Sequence, residues 1–436
     1  ATHTVTEFRY RYWHEQDLFN LLSSGQEWLG ERFLAEAAQP QSFSVPLRAL
    51  VPGRPVHIES MVVARSVGSP TTMEINAAGT TIATHTIAPV GASAFDLFAR
   101  EDLLSADFTP PGTGASGLSL QYRFGSANSA AIGWLNRFII RADCQLAWAG
   151  EPFAFRSEQG AAAAQIASYQ LSNGMNRLRV WKISDPLQPR EMSTSFNQNV
   201  LSFTDLHERP EEYFVFDPAA NLPSPAFLRS VPNQNLHGAT AADYLIIAAP
   251  GLLAAAERLA GWHRQHSGLS TLVVPVEQIW HEFSAGRPDP TAIRDFVKMF
   301  YDRSGGNSAM RPRYLLLFGH SSFDPRKRIL TQSPGIPSYQ SKFYLDPLST
   351  YVSDDYFGFL DDGEDINGSL QGNQLDIAIG RIPAQDLSSA QAYVDKIIAY
   401  HHRDSRGAWR NELSFIADDE DHNLHLQDME GITALA

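Results

Sequence analysis

The stretch Tyr314–Asp324, reading YLLLFGHSSFD, constrains this chain more than any other. Its apolar residues run without a polar break from Tyr314 and stop at Gly319. A strand covered on one face alternates; a strand covered on both faces, as in a parallel sheet, reads as a continuous apolar run. His320, Ser321, Ser322 and Asp324 then follow at the carboxyl end, the edge where open α/β sheets place their chemistry. Similar runs at Tyr244–Ala248, Thr271–Val274, Leu375–Ile379 and Leu413–Ala417 predict sister strands. Helical spacing predicts helices over Leu252–His266, Thr291–Asp302 and Asp386–His402. The second carries Ile293, Phe296, Val297 and Phe300 on one face, and Asp386 is the expected cap of the third. Strands alternating with helices predict a parallel sheet with right-handed crossovers.

The front of the chain follows another rule. A strand signal at Phe8–Tyr12 and a helical one at Gln16–Leu22 lead into short alternating runs. Examples are Val56–Ala64, Thr81–Ile87, Leu118–Phe124, Trp134–Arg141, Phe153–Arg156 and Leu178–Ile183. Alternation punctuated by Pro and Gly predicts an antiparallel β-sandwich or jelly roll. Pro218, Pro223, Pro225 and Pro232 mark a linker before Gly238. The expected division is residues 1–225 as the sandwich, 226–240 as linker, 241–410 as an α/β subdomain and 411–436 as the start of a second one. A chain of 436 residues is long enough for two cores.

A net charge of −14 with no Lys/Arg cluster excludes a nucleic-acid binder. The single cysteine, Cys144, excludes an internal disulfide. No apolar run reaches the length of a membrane helix.

Several motifs are candidates for chemistry. Gly112–Gly117, GTGASG, matches the dinucleotide string but has prolines before it and a strand after it, which reads as a loop. Gly319–Phe323, GHSSF, lacks the final glycine of a nucleophile elbow, and His320 reads as a hydrogen-bonded structural residue. Cys144 has no neighbouring histidine and reads as buried. His263 and His266, three apart near a helix end, suit the helix dipole better than a zinc site. The acidic loop Asp354, Asp355, Asp361, Asp362, Glu364 and Asp365 is a calcium candidate without EF-hand spacing; a solvated loop is its alternative. Asp418–Asp421, with His422 and His425, packs carboxylates whose repulsion calls for an offset. A metal, an arginine such as Arg381, or a histidine oriented by a carboxylate would each supply one; an exposed acidic turn is the alternative reading.

Taken in order, YLLLFGHSSFD, YVSDDYFGFLDD, LDIAIGRIPAQDLSSAQAYVDKIIAYHHR and WRNELSFIADDED resemble the gingipain family of cysteine peptidases. His281–Ser304, Trp134–Leu146 and Arg179–Pro186 resemble the family's secretion-sortase branch more than its secreted proteases. The resemblance covers about residues 130 to 430. It implies a caspase-like α/β fold with helices flanking a parallel sheet, and a His–Cys dyad whose histidine sits in a G-H-G string. No such string occurs here, and Cys144 falls in the front part. The resemblance therefore implies a truncated chain, inactive alone, with the dyad outside these residues. It also implies a carboxylate that orients the catalytic histidine, at Glu420. It adds weight to structural calcium at Asp361, Asp362 and Asp365, with no cofactor required. The implied activity is an endopeptidase/sortase of the type IX secretion system. It removes C-terminal signals from cargo and attaches the cargo to lipopolysaccharide at the bacterial cell surface, beside an outer-membrane β-barrel partner. The competing expectation is a non-catalytic binding or scaffold module with a docking sandwich.

Overall fold

The computed structural model describes residues 3–37, 39–110, 117–157, 165–207, 209–329, 335–368, 372–418 and 420–435. The GTGASG string, apart from Gly117, lies outside these residues. The chain divides into two compact units. One comprises Ala1–Asn233, Lys327–Gln332 and Tyr339–Ser353; the other comprises Gln234–Arg326, Ser333–Ser338 and Asp354–Ala436.

The alternating front sequence builds two sandwiches rather than one. In the first, a five-stranded antiparallel sheet is centred on Ile132–Gln145 and Val56–Arg65, with Glu7–Glu15, Arg32–Leu34 and Arg100–Phe108 around them. It faces a four-stranded sheet ordered Gln41–Val45, Leu118–Ser126, Thr71–Ala77, Thr80–Ile87. Inward residues of the two sheets meet as rings: Phe138 lies 5.7 Å from Phe43 and 5.9 Å from Tyr122, centroid to centroid. In the second sandwich, Gln165–Leu171 and Val200–His207 pack over Phe153–Ser157 and Glu211–Phe216. Tyr169, Phe203 and Tyr213 form its aromatic centre. Phe8 against Phe153 and Phe155 joins the two into one apolar cluster.

The helix expected over Gln16–Leu22 does not form. The Leu18 and Phe19 N–H groups both donate to the Leu29 carbonyl, and Phe19 packs on the cluster Leu29, Val63, Ala99 and Trp134. A seven-residue helical signal is too short to compete with such packing. Tyr339–Ser353, although it falls between strands of the rear unit in sequence, belongs to this front unit. Its ends pair as a two-residue ladder, and Tyr344 and Leu345 pack on the same cluster.

The rear unit has the expected parallel sheet, ordered Thr271–Pro275, Tyr244–Ala248, Tyr314–Phe318, Ala378–Ile382. The central strand Tyr314–Phe318 ends where the apolar run ends, and Leu315, Leu317 and Phe318 are fully buried. Helix α1 (Leu253–His266) packs on the first two strands of the chain order and on a later helix, α4 (Leu387–His401). Helix α2 (Val276–Phe283), hidden from sequence reading by its short span, packs on α3 (Pro290–Arg303). Asp386 caps α4 through the Ser389 N–H at 2.7 Å, with the reciprocal bond present. Glu282 of α2 ends the proline-rich linker. It accepts from the N–H of Leu236 and His237, from Gln234 Nε2 and from the His237 ring.

Two expected strands differ. The run beginning at Leu375 enters the ladder three residues late, as Ala378–Ile382. Asp376 is first tied down by the Tyr301 hydroxyl and the Leu360 N–H. Leu413–Ala417 forms no strand: Leu413 is 74% and Ile416 87% exposed, and no ladder pairs it among the described residues. An apolar run becomes a strand only where an edge satisfies its backbone.

Leu317→Ala should cost about 2–5 kcal/mol, read as a lower urea midpoint for the rear unit at unchanged m-value. Burial pushes the Glu282 carboxyl up, but its hydrogen bonds from Leu236, Gln234 and His237 outweigh this and bring it to about 2. Its contribution is therefore complete above about pH 4.5 and lost as pH falls toward 2. Glu282→Gln should flatten that part of the acid-unfolding profile measured by circular dichroism.

Candidate functional site at the carboxyl edge of the parallel sheet

The last apolar strand carries one charge, Arg381, in the string Ala378–Ile382. A buried guanidinium must fill its five donors or cost the fold dearly. Here each is used. Nε and one Nη hold both oxygens of Asp354 at 2.7 Å. The other Nη donates to the carbonyls of Gly319 and Ile336, both at 2.9 Å, and Ser338 Oγ completes the set at 3.0 Å. Ser321 donates to Ser338, and Ser338 donates to Asp354, at 2.7 and 2.6 Å. The hub thus binds the end of the central strand to two segments distant in sequence.

Gly319 is required at this turn, because a Cβ there would lie 2.6 Å from Ala249 Cβ. Gly335 has φ +58° and abuts the His320 carbonyl, which accepts from the Ile336 N–H. The His320 N–H in turn donates to Ala384. The motif GHSSF therefore builds a backbone corner: no helix follows it, and Ser322 Oγ accepts from the Asp324 N–H. The hub was missed in the sequence, although an arginine inside a strand of apolar neighbours was its visible signal.

Arg381 is spent on Asp354, so it does not offset the acidic cluster at Asp418–Asp421. Of that cluster Asp419 lies outside the described residues. Asp418 Oδ1 lies 2.7 Å from His425 Nδ1 and raises that imidazole's pKa; Asp421 lies 3.9 Å from the other ring nitrogen. Glu420 opens helix α5 (Glu420–Thr433) and is exposed. Asp421, His422 and Asn423 take left-handed backbone angles within it.

The calcium candidates do not converge. Asp361 accepts from the Tyr301 hydroxyl at 2.7 Å, which also reaches Asp376 at 2.8 Å. Asp362 pairs with Lys298 at 3.0 Å, and Asp365 accepts from the backbone and side chain of Asn367. Calcium needs six to eight oxygens turned on one point. Among the described residues no group of three or more His, Cys, Asp or Glu side chains could hold a metal ion. The residues as placed do not fit the ion.

The histidine pair on α1 is likewise engaged locally. His266 Nδ1 donates to the Trp262 carbonyl and its ring stacks on that indole, while His263 Nδ1 meets Ser267 Oγ. Burial, then the nearby His401, lowers the His263 pKa. Cys144 is fully buried in the front sandwich, where its Sγ donates to the Arg48 carbonyl at 3.6 Å. Burial pushes its thiol up to about 12. It cannot supply a thiolate near neutral pH.

Arg381→Lys keeps the charge but not the fork, leaving buried acceptors unpaired. It should destabilise the rear unit by about 1–3 kcal/mol, measured by urea unfolding, and Asp354→Asn should add little on top of it.

Comparison with known proteins agrees with this architecture. Residues 237–435 match the model of peptidase family C25. No curated protein sequence matches. The crystal structure of dimeric latent PorU from Porphyromonas gingivalis superposes with a TM-score of 0.79 at 26% identity, over 98% of this chain and 41% of that one. This chain therefore spans about two-fifths of that protein's length. An insecticidal delta-endotoxin from Bacillus thuringiensis covers 26% of this chain and 19% of its own, at 11% identity. A xylanase module pair from Clostridium thermocellum covers 31% of this chain and 26% of its own, at 12% identity. Their TM-scores of 0.19 and 0.20 carry no argument. Residues 237–435 thus match peptidase family C25, and nearly the whole chain resembles PorU in fold.

Proposed function

We propose that this chain is the non-catalytic portion of a PorU-like cysteine endopeptidase and sortase. In this reading the whole enzyme removes C-terminal secretion signals from cargo and passes the new carboxyl end to a lipopolysaccharide amine. It works at the bacterial surface, beside an outer-membrane β-barrel partner. A thiolate nucleophile suits that reaction, since its acyl-enzyme is resolved by an amine as readily as by water. The observation that carries the proposal is Cys144. It is the one thiol in the sequence, and it is buried in the front sandwich with its pKa pushed up to about 12. In this reading the C25-like domain draws its nucleophile from beyond these residues. Glu420, on an exposed helix turn beside Asp418 and His425, is the proposed orienting carboxylate of the histidine supplied with that thiol.

The 436-residue chain should leave a cargo C-terminal signal peptide uncleaved, as followed by mass spectrometry. The full-length protein should cleave it and form an adduct with an added amine. Cleavage by the shorter chain that is lost in Cys144→Ala would overturn the proposal. So would a full-length protein with no cleavage, which would leave a binding or scaffold module as the reading.

A further inference from the structure

The interior of the first sandwich contains a histidine that sequence reading passed over. His85, on the strand Thr80–Ile87, is fully buried, and so is Ser60, which comes from the facing sheet. Its Nδ1 lies 2.7 Å from Asp102 Oδ2, also of the facing sheet, and its Nε2 lies 3.0 Å from Ser60 Oγ. The Tyr122 hydroxyl, from the histidine's own sheet, donates to the same Ser60 oxygen at 3.0 Å. The chain Tyr122–Ser60–His85–Asp102 therefore crosses between the sheets three times.

Its proton order follows from donor counting. A carboxylate can only accept, so Nδ1 of His85 carries the hydrogen that Asp102 receives. Tyr122 donates to Ser60, which frees the Ser60 hydrogen for Nε2. One neutral tautomer satisfies every link. Adding a proton at Nε2 turns that nitrogen into a second donor aimed at a hydroxyl. The Ser60 hydrogen then loses its acceptor inside an apolar core, where an unmade hydrogen bond costs most.

The surroundings offer the charged ring little compensation. The neighbouring strand Thr71–Ala77 presents Met73 and Ile75 inward, and Val56–Arg65 presents Ile58 and Val62 beside Ser60. From Leu118–Ser126 come Leu120 and Tyr122. On the outer side of these strands His57 pairs with Asp107 at 2.9 Å and Glu59 with Arg141 at 3.6 Å, while Glu74 and Arg123 alternate outward from the buried Met73, Ile75, Tyr122 and Phe124. Asp102 is the one charged partner at hydrogen-bond distance.

We infer that His85 is an acid-sensitive latch between the two sheets of the first sandwich, closed while the ring is neutral and opened by its protonation. Burial lowers the His85 pKa, and the bond to and charge of Asp102 oppose this without cancelling it. A folded value below the unfolded value of about 6.5 means the unfolded state binds the extra proton first. Stability is therefore complete above about pH 6.5, falls as pH drops below it, and levels off beneath the folded pKa.

The test is hydrogen exchange in the full 436-residue chain, on peptides covering Thr80–Ile87 and Arg100–Phe108. After correction for intrinsic rates, the local opening constant should rise about tenfold for each unit by which the pKa is depressed between pH 7.5 and 5. In His85→Gln it should stay flat over that range. Equal pH dependence in both proteins would overturn the inference. Should His85→Gln not fold, nitrogen-15 spectra of the wild-type imidazole decide the matter. A proton held on Nδ1, with titration well below 6.5, supports the latch. A proton on Nε2, or titration at or above 6.5, removes it.

Discussion

A largely buried guanidinium on the edge strand of a parallel sheet has to be answered by its surroundings, and the rear unit is arranged around that answer. Arg381 sits in the last strand, next to the buried Ile382, and all its donors are taken. Two of the acceptors are main-chain carbonyls, so the demand is met by folding the backbone toward the charge. That fixes Gly319 at the end of the central strand, Ile336 after the GHSSF corner, and Ser338 and Asp354. Those last two residues flank Tyr339–Ser353, which is part of the front unit. The bidentate pair to Asp354 is worth less as Coulomb energy than as geometry, because desolvation consumes much of the attraction.

The same logic recurs in both front sandwiches. In the second, Lys182 reaches Asp205 at 2.7 Å and Glu211 at 3.3 Å, while the Tyr213 hydroxyl also donates to Asp205. Burial raises the Asp205 pKa, and the Lys182 and Tyr213 bonds more than reverse it. In the first, two hydroxyls and one neutral imidazole ending on the Asp102 carboxylate replace the ion cluster. Both join facing sheets, where packing alone would tolerate a slip in register; a buried polar group left unpaired by such a slip would not.

Chemistry and burial are divided along the chain. The one thiol is packed as a small apolar residue, with Arg48 offering a carbonyl rather than a charge close enough to ionise it. Four carboxylates of the rear unit are spent on fixed partners: Asp354 on Arg381, Asp361 and Asp376 on Tyr301, Asp362 on Lys298. The hydrogen bonds of Arg381 hold the sheet edge and its corner loop in place.

The apolar runs Tyr244–Ala248 and Tyr314–Phe318, the α3 stripe of Ile293, Phe296, Val297 and Phe300, and the Asp386 cap were all legible, because period and capping are local properties of sequence. So were the alternating strands of the front half and the burial of Cys144. The late start of Ala378–Ile382, the failure of Leu413–Ala417 to pair and the loss of the Gln16–Leu22 helix were not legible. Each depends on which backbone or ring happens to lie alongside. The partners of Arg381, Asp361 and His85 were beyond reach for the same reason. A residue's type states how many hydrogen bonds it needs once buried, but only the tertiary structure decides which distant groups supply them.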